Sequence, residues 1–428
     1  MILTLRAARS AATPAVLVMT AVSLLATRGL AAQTAQERIR ADVRYLADDA
    51  REGRGLGTAG LDSAAAYVAA QFRQIGLRPA GTDGYFQPFR VDSTAPALAH
   101  SGIGAVNVKN VVGLVPGRGS LARQVVVLGA HYDHLGLGGM GSLDPDSTGV
   151  VHNGADDNAS GTAALIEAAR ILAGRSAPEQ RAIVFVAFTA EESGLLGSDY
   201  YVKNPVDPID STYAMINFDM VGRIKGDTVI TIGTGSASEL PMLLDSVNAG
   251  ASLTLRPQPD PWGGGDHSSF YAATIPVVHL FTDTHSDYHR TTDDWEKIDV
   301  EGIERISRYA ADLAWAFVTR RDWLTFVNVP QPQQVASGGR GAYLGTIPDM
   351  SGSPGGVRLT GVRAGSPADS AGLRAGDVLI QLGEHEVKDL YDMTDALRAH
   401  APGDVVTIVV MRDGQRLELT ATLGTRGG

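Results

Sequence analysis

Between His131 and His289 the sequence carries imidazoles and carboxylates in segments that follow apolar runs. Nitrogen and oxygen donors of these types hold zinc in hydrolytic sites, where a further carboxylate accepts a proton from water. Glu191 is such a spare carboxylate, directly beside one of the donors. Five residues form the candidate ligand set: His131, Asp157, Glu192, Asp219 and His289. Their types predict metal-assisted hydrolysis.

The elements that must position these donors are alternating strands and helices between Ala35 and Arg321. Apolar residues at helical spacing predict an amphipathic helix over 61–75, and Gly161 opens another helix. Continuous apolar strands between helices predict an α/β fold with a mostly parallel central sheet and helices on both faces. Because ligands gather beyond the carboxyl ends of such strands, the donors are expected at one edge. Four apolar runs predict the buried strands: 124–130, 182–188, 214–218 and 275–281.

Composition limits the class of protein. The chain has 428 residues, which is enough for more than one domain, and it is 44% hydrophobic and 19% charged. Its net charge of −11 argues against a nucleic-acid partner, which would need a basic face. Cysteine is absent, which excludes disulfides, thiolate metal sites and a cysteine nucleophile.

Residues 1–32 are typical of an export signal peptide. Arg6 and Arg9 precede an apolar run over 15–26 that is too short to span a bilayer. We expect cleavage near Ala32 and no stable membrane anchor, which makes the protein periplasmic or secreted. Retention as a membrane tether is the alternative.

Residues 37–322 resemble the zinc-dependent aminopeptidases of the family that includes glutamate carboxypeptidase and glutaminyl cyclase. The resemblance rests on GAHYDHLG, GADDNASG, TAEESGLLGS, NFDMVGR and YHRTTDDWEKID. It implies a zinc metallopeptidase with two Zn²⁺ ions per chain that removes N-terminal residues from peptides. The implied ligands are His131 and Asp219 for one ion, Glu192 and His289 for the other, and Asp157 as the bridge.

The resemblance also implies three catalytic roles. Glu191 would deprotonate the water that bridges the two ions and later protonate the leaving amine. Asp133 would orient the imidazole of His131, and Tyr288 would donate a hydrogen bond to the developing oxyanion. The peptide bond after Asp157 is cis in the pattern that the resemblance implies.

Neighbouring residues are alternative ligands. Asp156 adjoins Asp157, but adjacent side chains of an extended chain point opposite ways, so only one can enter the site. The family pattern favours Asp157. His134 and His152 are further candidates, and for both we favour a place behind the ligands.

Two loops keep more than one interpretation. In GGGDHSSF, Asp266 and His267 either border the substrate, or Asp266 caps a helix that begins near Ser268. In the Gly- and Asp-rich segment 135–151, Asp144 and Asp146 suggest calcium, but without a full ligand set we favour a flexible cleft rim. Arg223 could meet a substrate carboxylate or serve as a structural ion-pair partner.

Residues 323–339 have the composition of a linker, and residues 340–428 resemble a PDZ domain of the bacterial-protease type. The stretches RGAYLG and GSPADSAGLRAGDVLIQLGEHEV carry this resemblance. It implies a groove for the C-terminus of a peptide or protein. The expected groove residues are Tyr343, Leu344 and Gly345 through their backbone, and Leu390, Met393 and Leu397 through their side chains.

Other functions are compatible with the same fold: glutaminyl cyclase, dipeptidase or carboxypeptidase, and a non-catalytic PDZ-bearing scaffold comparable to the transferrin receptor. A scaffold would be expected to have lost ligands or the base, and glutaminyl cyclase is associated with a single zinc. The complete donor set, with Glu191 present, therefore favours an aminopeptidase.

Overall fold

The computed structural model describes residues 33–93, 104–138, 141–144, 147, 149–330, 342–348, 355–388, 392–393, 396–397 and 399–425. The expected signal peptide lies outside these residues. Among the helices described, none is both long and apolar enough to cross a membrane.

Within the described residues, nine strands of the peptidase region form one sheet in the order β1-β3-β5-β4-β6-β9-β7-β8, with β2 beside β3. Its four central strands, β5, β4, β6 and β9, are parallel, whereas β3 and β7 join them antiparallel on either side. The expected parallel centre is confirmed, with antiparallel pairs toward the edges. The strands are β1 (Arg78–Pro79), β2 (Phe86–Val91), β3 (Val106–Val115), β4 (Val125–His131), β5 (Ala182–Phe188), β6 (Thr212–Phe218), β7 (Thr228–Ile232), β8 (Thr254–Gln258) and β9 (Val277–Phe281).

Helices cover both faces of this sheet because its strands are apolar on both sides. On β4, Val126 and Leu128 join one core and Val125 and Val127 the other, as the two-residue period of a strand requires. Helices α1, α2, α3, α5 and α7 pack on the first core, and α4 and α6 on the second. The helices are α1 (Ala35–Leu46), α2 (Ala59–Ile75), α3 (Gly161–Ala173), α4 (Leu196–Lys203), α5 (Leu240–Asn248), α6 (His267–Ala272) and α7 (Val300–Thr319).

Local signals explain where these helices begin. Thr34 and Glu37 form a reciprocal cap at α1, and the Thr58 hydroxyl accepts from the Leu61 amide at α2. Gly76, with a φ of +91°, ends α2 in the left-handed conformation that glycine adopts readily. Asp299 caps α7 in the same way as the threonines cap the first two helices.

The four central strands end at one edge, and the candidate donors lie there. His131 is the last residue of β4, and Asp219 directly follows β6. Glu192 follows β5, and His289 follows β9 after a loop. Asp157 reaches the same edge from the turn over 155–160 that leads into α3.

The beginning of the expected linker packs on the peptidase region. The indole of Trp262 donates to the carbonyl of Val329 over 3.0 Å, and the Tyr271 hydroxyl donates to the carbonyl of Val327 over 2.9 Å. Residues 331–341 lie outside the described part of the chain.

The C-terminal region has its own small core, which includes Leu344, Leu379 and Ile408. Its described strands form an antiparallel sheet in the order β11-β12-β13-β15-β16, with β14 beside β13, and β10 pairs with β17. The elements are β10 (Ala342–Tyr343), β11 (Thr346–Pro348), β12 (Val357–Val362), α8 (Pro367–Ser370), β13 (Val378–Leu382), β14 (His385–Glu386), β15 (Val405–Arg412), β16 (Gln415–Thr422) and β17 (Gly424–Thr425).

Candidate metal centre

The carboxylate of Asp157 lies between two imidazoles. Its Oδ1 is 3.3 Å from Nε2 of His131, and its Oδ2 is 3.1 Å from Nε2 of His289. Each of these imidazoles also faces a second carboxylate: Asp219 Oδ1 is 3.4 Å from His131 Nε2, and Glu192 Oε2 is 3.4 Å from His289 Nε2. The five expected donors therefore form two sets of three that share Asp157.

The spare carboxylate Glu191 faces the first set. One of its oxygens lies within 4.8 Å of donor atoms of His131 and Asp219. Ala190, with a φ of +59°, turns the chain after β5 so that the adjacent Glu191 and Glu192 both reach the site. The amide of Glu191 donates to one oxygen of Asp133 over 3.1 Å, and that of Glu192 donates to the other over 3.3 Å.

Each imidazole is held through Nδ1, the ring nitrogen that faces away from Asp157. Nδ1 of His131 is 3.2 Å from the carbonyl oxygen of Asp133 and 3.7 Å from its carboxylate. Nδ1 of His289 is 2.9 Å from the carbonyl oxygen of Gly141. In the neutral ring, donation from Nδ1 would leave the lone pair of Nε2 directed at the shared site.

Asp156 points away from Asp157. Its Oδ1 accepts from the Gly222 amide over 2.7 Å, and its Oδ2 is 3.1 Å from Nε2 of His285. Asp293 holds the backbone of both acids, since its Oδ2 accepts from the amides of Asp156 and Asp157 over 2.9 and 3.1 Å. The peptide bond between Asp157 and Asn158 is cis, as expected.

His134 lies behind Glu192. Its Nδ1 is 2.8 Å from Glu192 Oε1, so the other oxygen of that carboxylate is the one that faces His289. Donor atoms of His134, Asp157 and Glu192 also lie within 4.8 Å of one another. Nε2 of His289 faces two carboxylates, whereas Nδ1 of His134 is engaged with Glu192. His152 instead contacts Ser142 and the carbonyl of Val150.

In the GGGDHSSF loop, residues 265–268 are buried, and Asp266 interacts electrostatically with the donor His131. Helix α6 begins at His267, and the Asp266 side chain makes no capping bond, so the capping interpretation is wrong. Both carboxylate oxygens of Asp266 and both ring nitrogens of His267 are buried without a hydrogen-bond partner among the described residues. Burial raises the pKa of Asp266 to about 7 and lowers that of His267 to about 3.

Asp144 and Arg223, which had more than one interpretation, both have side-chain partners within the protein. Asp144 contacts Arg290 over 2.8 Å and accepts from the amide and hydroxyl of Thr291 over 2.9 Å each, which ties its loop to the segment after His289. Arg223 pairs with Asp287, the structural alternative for that arginine. Asp146 lies outside the described residues.

The carboxylates and imidazoles strongly perturb one another. Although burial opposes the effect, neighbouring carboxylates raise the pKa values of His131 and His289 well above their ordinary range. Burial also opposes the lowered pKa of Asp157, which these two histidines cause. The pKa of Glu192 falls to about 2 despite burial, because of the charge of His289. Burial raises the pKa of Glu191 well above its ordinary value. The carboxylates therefore favour a positive charge at the two imidazoles.

Tyr288 stacks on the imidazole of His289, with ring centroids 3.9 Å apart. Burial and then the charges of the nearby carboxylates raise the pKa of its phenol well above its ordinary value, so the phenol keeps its proton. Tyr288 also packs on a small apolar cluster that is separate from the two main cores. This cluster consists of Met220, Ile230, Ile232 and Phe281.

Of the expected PDZ groove, the structure describes a part. The side chain of Leu344 is buried in the domain core, and Gly345 has a φ of +86°. The Tyr343 backbone pairs with Gly424, and Leu397 packs at the edge of the core. Leu390 lies outside the described residues.

The chain matches two family models. Residues 110–314 match Peptidase family M28, and residues 335–423 match the PDZ domain. Aminopeptidase YwaD of Bacillus subtilis is 36% identical over 115 residues, which are 27% of this chain and 22% of that protein. The chain spans 22% to 37% of the length of the first curated relatives it matches.

Solved structures share the fold of the peptidase region. BSAP, a zinc aminopeptidase from Bacillus subtilis, superposes with a TM-score of 0.53 at 17% identity, over 67% of this chain and 95% of that one. A glutaminyl cyclase from Bacteroides thetaiotaomicron gives 0.52 at 18% identity, over 65% and 97%. The nine-stranded sheet and the donors at the ends of its parallel strands agree with the matched ranges: residues 110–314 are similar to peptidase family M28, and residues 335–423 to PDZ domains.

Proposed function

We propose that the protein is an exported dizinc exopeptidase, an aminopeptidase that hydrolyses N-terminal residues from peptides. The observation that carries the proposal is the Asp157 carboxylate, which turns one oxygen to His131 and the other to His289. One carboxylate shared by two sets of donors is what a two-metal hydrolytic site requires. The aminopeptidase name of the relative YwaD supports the same activity.

The donor set fits zinc, which binds imidazole nitrogen and carboxylate oxygen. The raised pKa values of both histidines support this fit, since they show that the carboxylates favour positive charge at those nitrogens. Zinc bound there supplies Lewis acidity, which makes a water more acidic and polarises a peptide carbonyl. His131 and Asp219 would hold one ion, Glu192 and His289 the other, and Asp157 both.

The remaining residues divide the proton transfer and positioning. Glu191 would accept a proton from the attacking water and pass it to the amine that leaves when the peptide C–N bond breaks. Asp133 would hold this base in place through the amides of Glu191 and Glu192, and it would orient His131. Tyr288, whose phenol keeps its proton, would donate a hydrogen bond to the oxyanion.

The apolar cluster of Met220, Ile230, Ile232 and Phe281 supports an apolar N-terminal residue as substrate. Met220 directly follows the donor Asp219, and Tyr288, which packs on the cluster, directly precedes His289. The cluster therefore adjoins Asp219 and His289 along the chain.

Export and the PDZ domain complete the proposal. Arg6 and Arg9 before the apolar run over 15–26 support cleavage near Ala32 and a periplasmic or secreted protein. The PDZ domain would bind the C-termini of peptides or proteins, by adding them as a strand beside β11.

The test is a turnover panel on the full mature chain loaded with zinc. It compares leucyl and other aminoacyl chromogenic substrates, their N-acetylated forms, dipeptides and a glutaminyl peptide. We expect the free aminoacyl substrates to be cleaved, apolar ones fastest, and the N-acetylated forms to be inert. Release of ammonia from the glutaminyl peptide, with formation of an N-terminal pyroglutamyl peptide, would favour a glutaminyl cyclase. Cleavage of dipeptides alone would favour a dipeptidase. If the zinc-loaded protein turns over none of these substrates, a non-catalytic scaffold would be the remaining function.

A further inference from the structure

Arg54 is a cation buried beneath the candidate metal centre. It ends the turn over 49–54, which precedes the range that matches the peptidase family. Its relative exposure is 0%, although arginine is among the residues least often fully buried. Each of its four hydrogen bonds goes to a main-chain carbonyl oxygen, so its position depends on backbone and not on a partner side chain.

These four bonds join two loops that carry metal-site donors. Nε donates to the carbonyl of Tyr132 over 2.7 Å, directly after His131. Nη1 donates to the carbonyl of Asn153 over 2.7 Å, and Nη2 to that of Gly154 over 2.8 Å, just before the turn that carries Asp157. The fourth bond, to the carbonyl of Leu46 over 2.7 Å, anchors the guanidinium to the end of α1.

The chain around Arg54 is shaped for this insertion. Glu52, Gly53 and Arg54 all have left-handed φ values, of 50°, 57° and 49°, a conformation that residues other than glycine rarely adopt. A Cβ on Gly53 would lie 2.3 Å from the carbonyl oxygen of Gly136 and 2.5 Å from that of His152. Only glycine therefore lets the turn approach both donor-bearing loops this closely.

The charge of Arg54 suits its surroundings. Burial lowers its pKa to about 10, which still leaves the guanidinium protonated at neutral pH. The carboxylates of Asp133, Asp157, Asp293 and Glu192 oppose that lowering, so the cation lies within the field of the acidic site.

We propose that Arg54 is a positioning residue of the metal centre, which fixes the spacing of the His131 and Asp157 loops before zinc binds. The inference rests on the proposed function in taking zinc as the metal. A planar guanidinium with five N–H groups reaches four carbonyls at once, whereas a lysine ammonium has three donors on one nitrogen. Arg54→Lys therefore keeps the positive charge but can no longer reach all four carbonyls.

Arg181 provides a matched control. It is also fully buried, and Nη1 donates to the carbonyls of Phe317 and Arg320. Burial likewise lowers its pKa to about 10. It directly precedes β5, at the end of the strand away from the metal centre, and its guanidinium lies over the ring of Tyr213 at 3.8 Å.

The experiment measures zinc affinity and melting on the full chain. Wild type, Arg54→Lys and Arg181→Lys are stripped of metal, titrated with zinc against a chromogenic chelator, and melted with zinc and with EDTA. We expect both variants to melt earlier in EDTA. We expect Arg54→Lys alone to bind zinc about 10–100-fold more weakly, the usual cost of losing a group that orients ligands.

Four results would overturn an assignment. Unchanged zinc affinity in Arg54→Lys, or an equal loss in Arg181→Lys, would refute the positioning role. An Arg54→Lys protein that stays unfolded with and without zinc, beside a folded Arg181→Lys, would make Arg54 a structural residue instead. A wild type that binds no zinc would refute the proposed function and this inference with it, whereas unchanged affinity in the variant refutes the inference alone.

Discussion

His134 Nδ1 lies 2.8 Å from Oε1 of Glu192 and thereby directs the other oxygen of that carboxylate toward His289. A residue in this place should change how tightly zinc binds and not how many ions bind. We therefore expect His134→Asn to weaken zinc affinity about 10–100-fold while two ions per chain still bind at saturation. A zinc titration followed by metal analysis measures both quantities.

The control is His152→Asn, because His152 is buried nearby but contacts Ser142 and Val150 and not a donor. It should keep wild-type zinc affinity. A His134→Asn protein that saturates at one ion would show that His134, and not only His289, is a ligand.

Glu191→Gln should keep both metals and lose most hydrolysis, because the amide preserves the shape and removes only the base. General-base contributions are typically about 10²–10⁴-fold, and we expect kcat to decrease by a factor in that range. Metal content and turnover of an aminoacyl substrate are measured on the same sample. Exposed Glu296→Gln is the control. Near-normal turnover in fully metallated Glu191→Gln would exclude Glu191 as the base.

Asp157→Asn should lower metal content to about one ion or none per chain, since two cations at roughly 3.5–4 Å need a shared anion. The adjacent Asp156→Asn is the matched control. Asp156 binds the Gly222 amide and His285, so its loss should lower the melting temperature and leave two ions bound. Two tightly held ions in Asp157→Asn would assign the bridge to another group.

The pattern of the sequence predicts the strand-end donors well, because buried parallel strands are continuous apolar runs whose ends are visible. His131 and Asp219 lie directly at such ends. The residues that hold these donors in place are harder to predict from the sequence. The partners of Arg54 are main-chain carbonyls, which every residue carries, so no side-chain pattern marks them. A supporting role for Asp293 could have been predicted from the sequence, since it belongs to the YHRTTDDWEKID motif that carries the last donor.

The environment of Asp266 was also beyond the sequence. An aspartate before a short helix is typical of an N-cap, and only the packing shows that this side chain turns into the protein. Local sequence predicts that a residue lies at a turn or a helix start. It does not predict whether the side chain is buried, because burial depends on contacts from distant segments.

Asp42, far from the metal centre in sequence and on α1, predicts a pH-dependent stability. Burial raises its pKa to about 6, although its Oδ1 accepts from the Tyr67 hydroxyl over 2.6 Å. With the folded pKa above the ordinary 3.8, its contribution to stability is fully present below pH 4 and is lost as pH rises through 6. At about 1.4 kcal/mol per pKa unit the loss is about 3 kcal/mol.

Asp42→Asn removes this titration. We expect the free energy of unfolding of the variant, relative to wild type, to rise by about 3 kcal/mol between pH 4 and pH 7. Urea unfolding across that range measures it, and exposed Asp245→Asn should show no such rise. A difference that stays constant with pH would mean that Asp42 is ionised normally in the folded protein.

Truncation after Gln334 separates the PDZ domain from the catalytic region. It keeps Val327 and Val329, whose carbonyls accept from Tyr271 and Trp262, so the peptidase region should stay folded. A small chromogenic substrate has no C-terminus long enough to reach a PDZ groove, and its turnover should stay within about a factor of two. Long peptides ending in apolar residues should be cleaved more weakly, because tethering at a second site raises their local concentration. Truncation after Arg321, which also removes the packed segment, should lower the melting temperature. Equal loss on both substrate kinds after the Gln334 truncation would make the PDZ domain a structural support for catalysis.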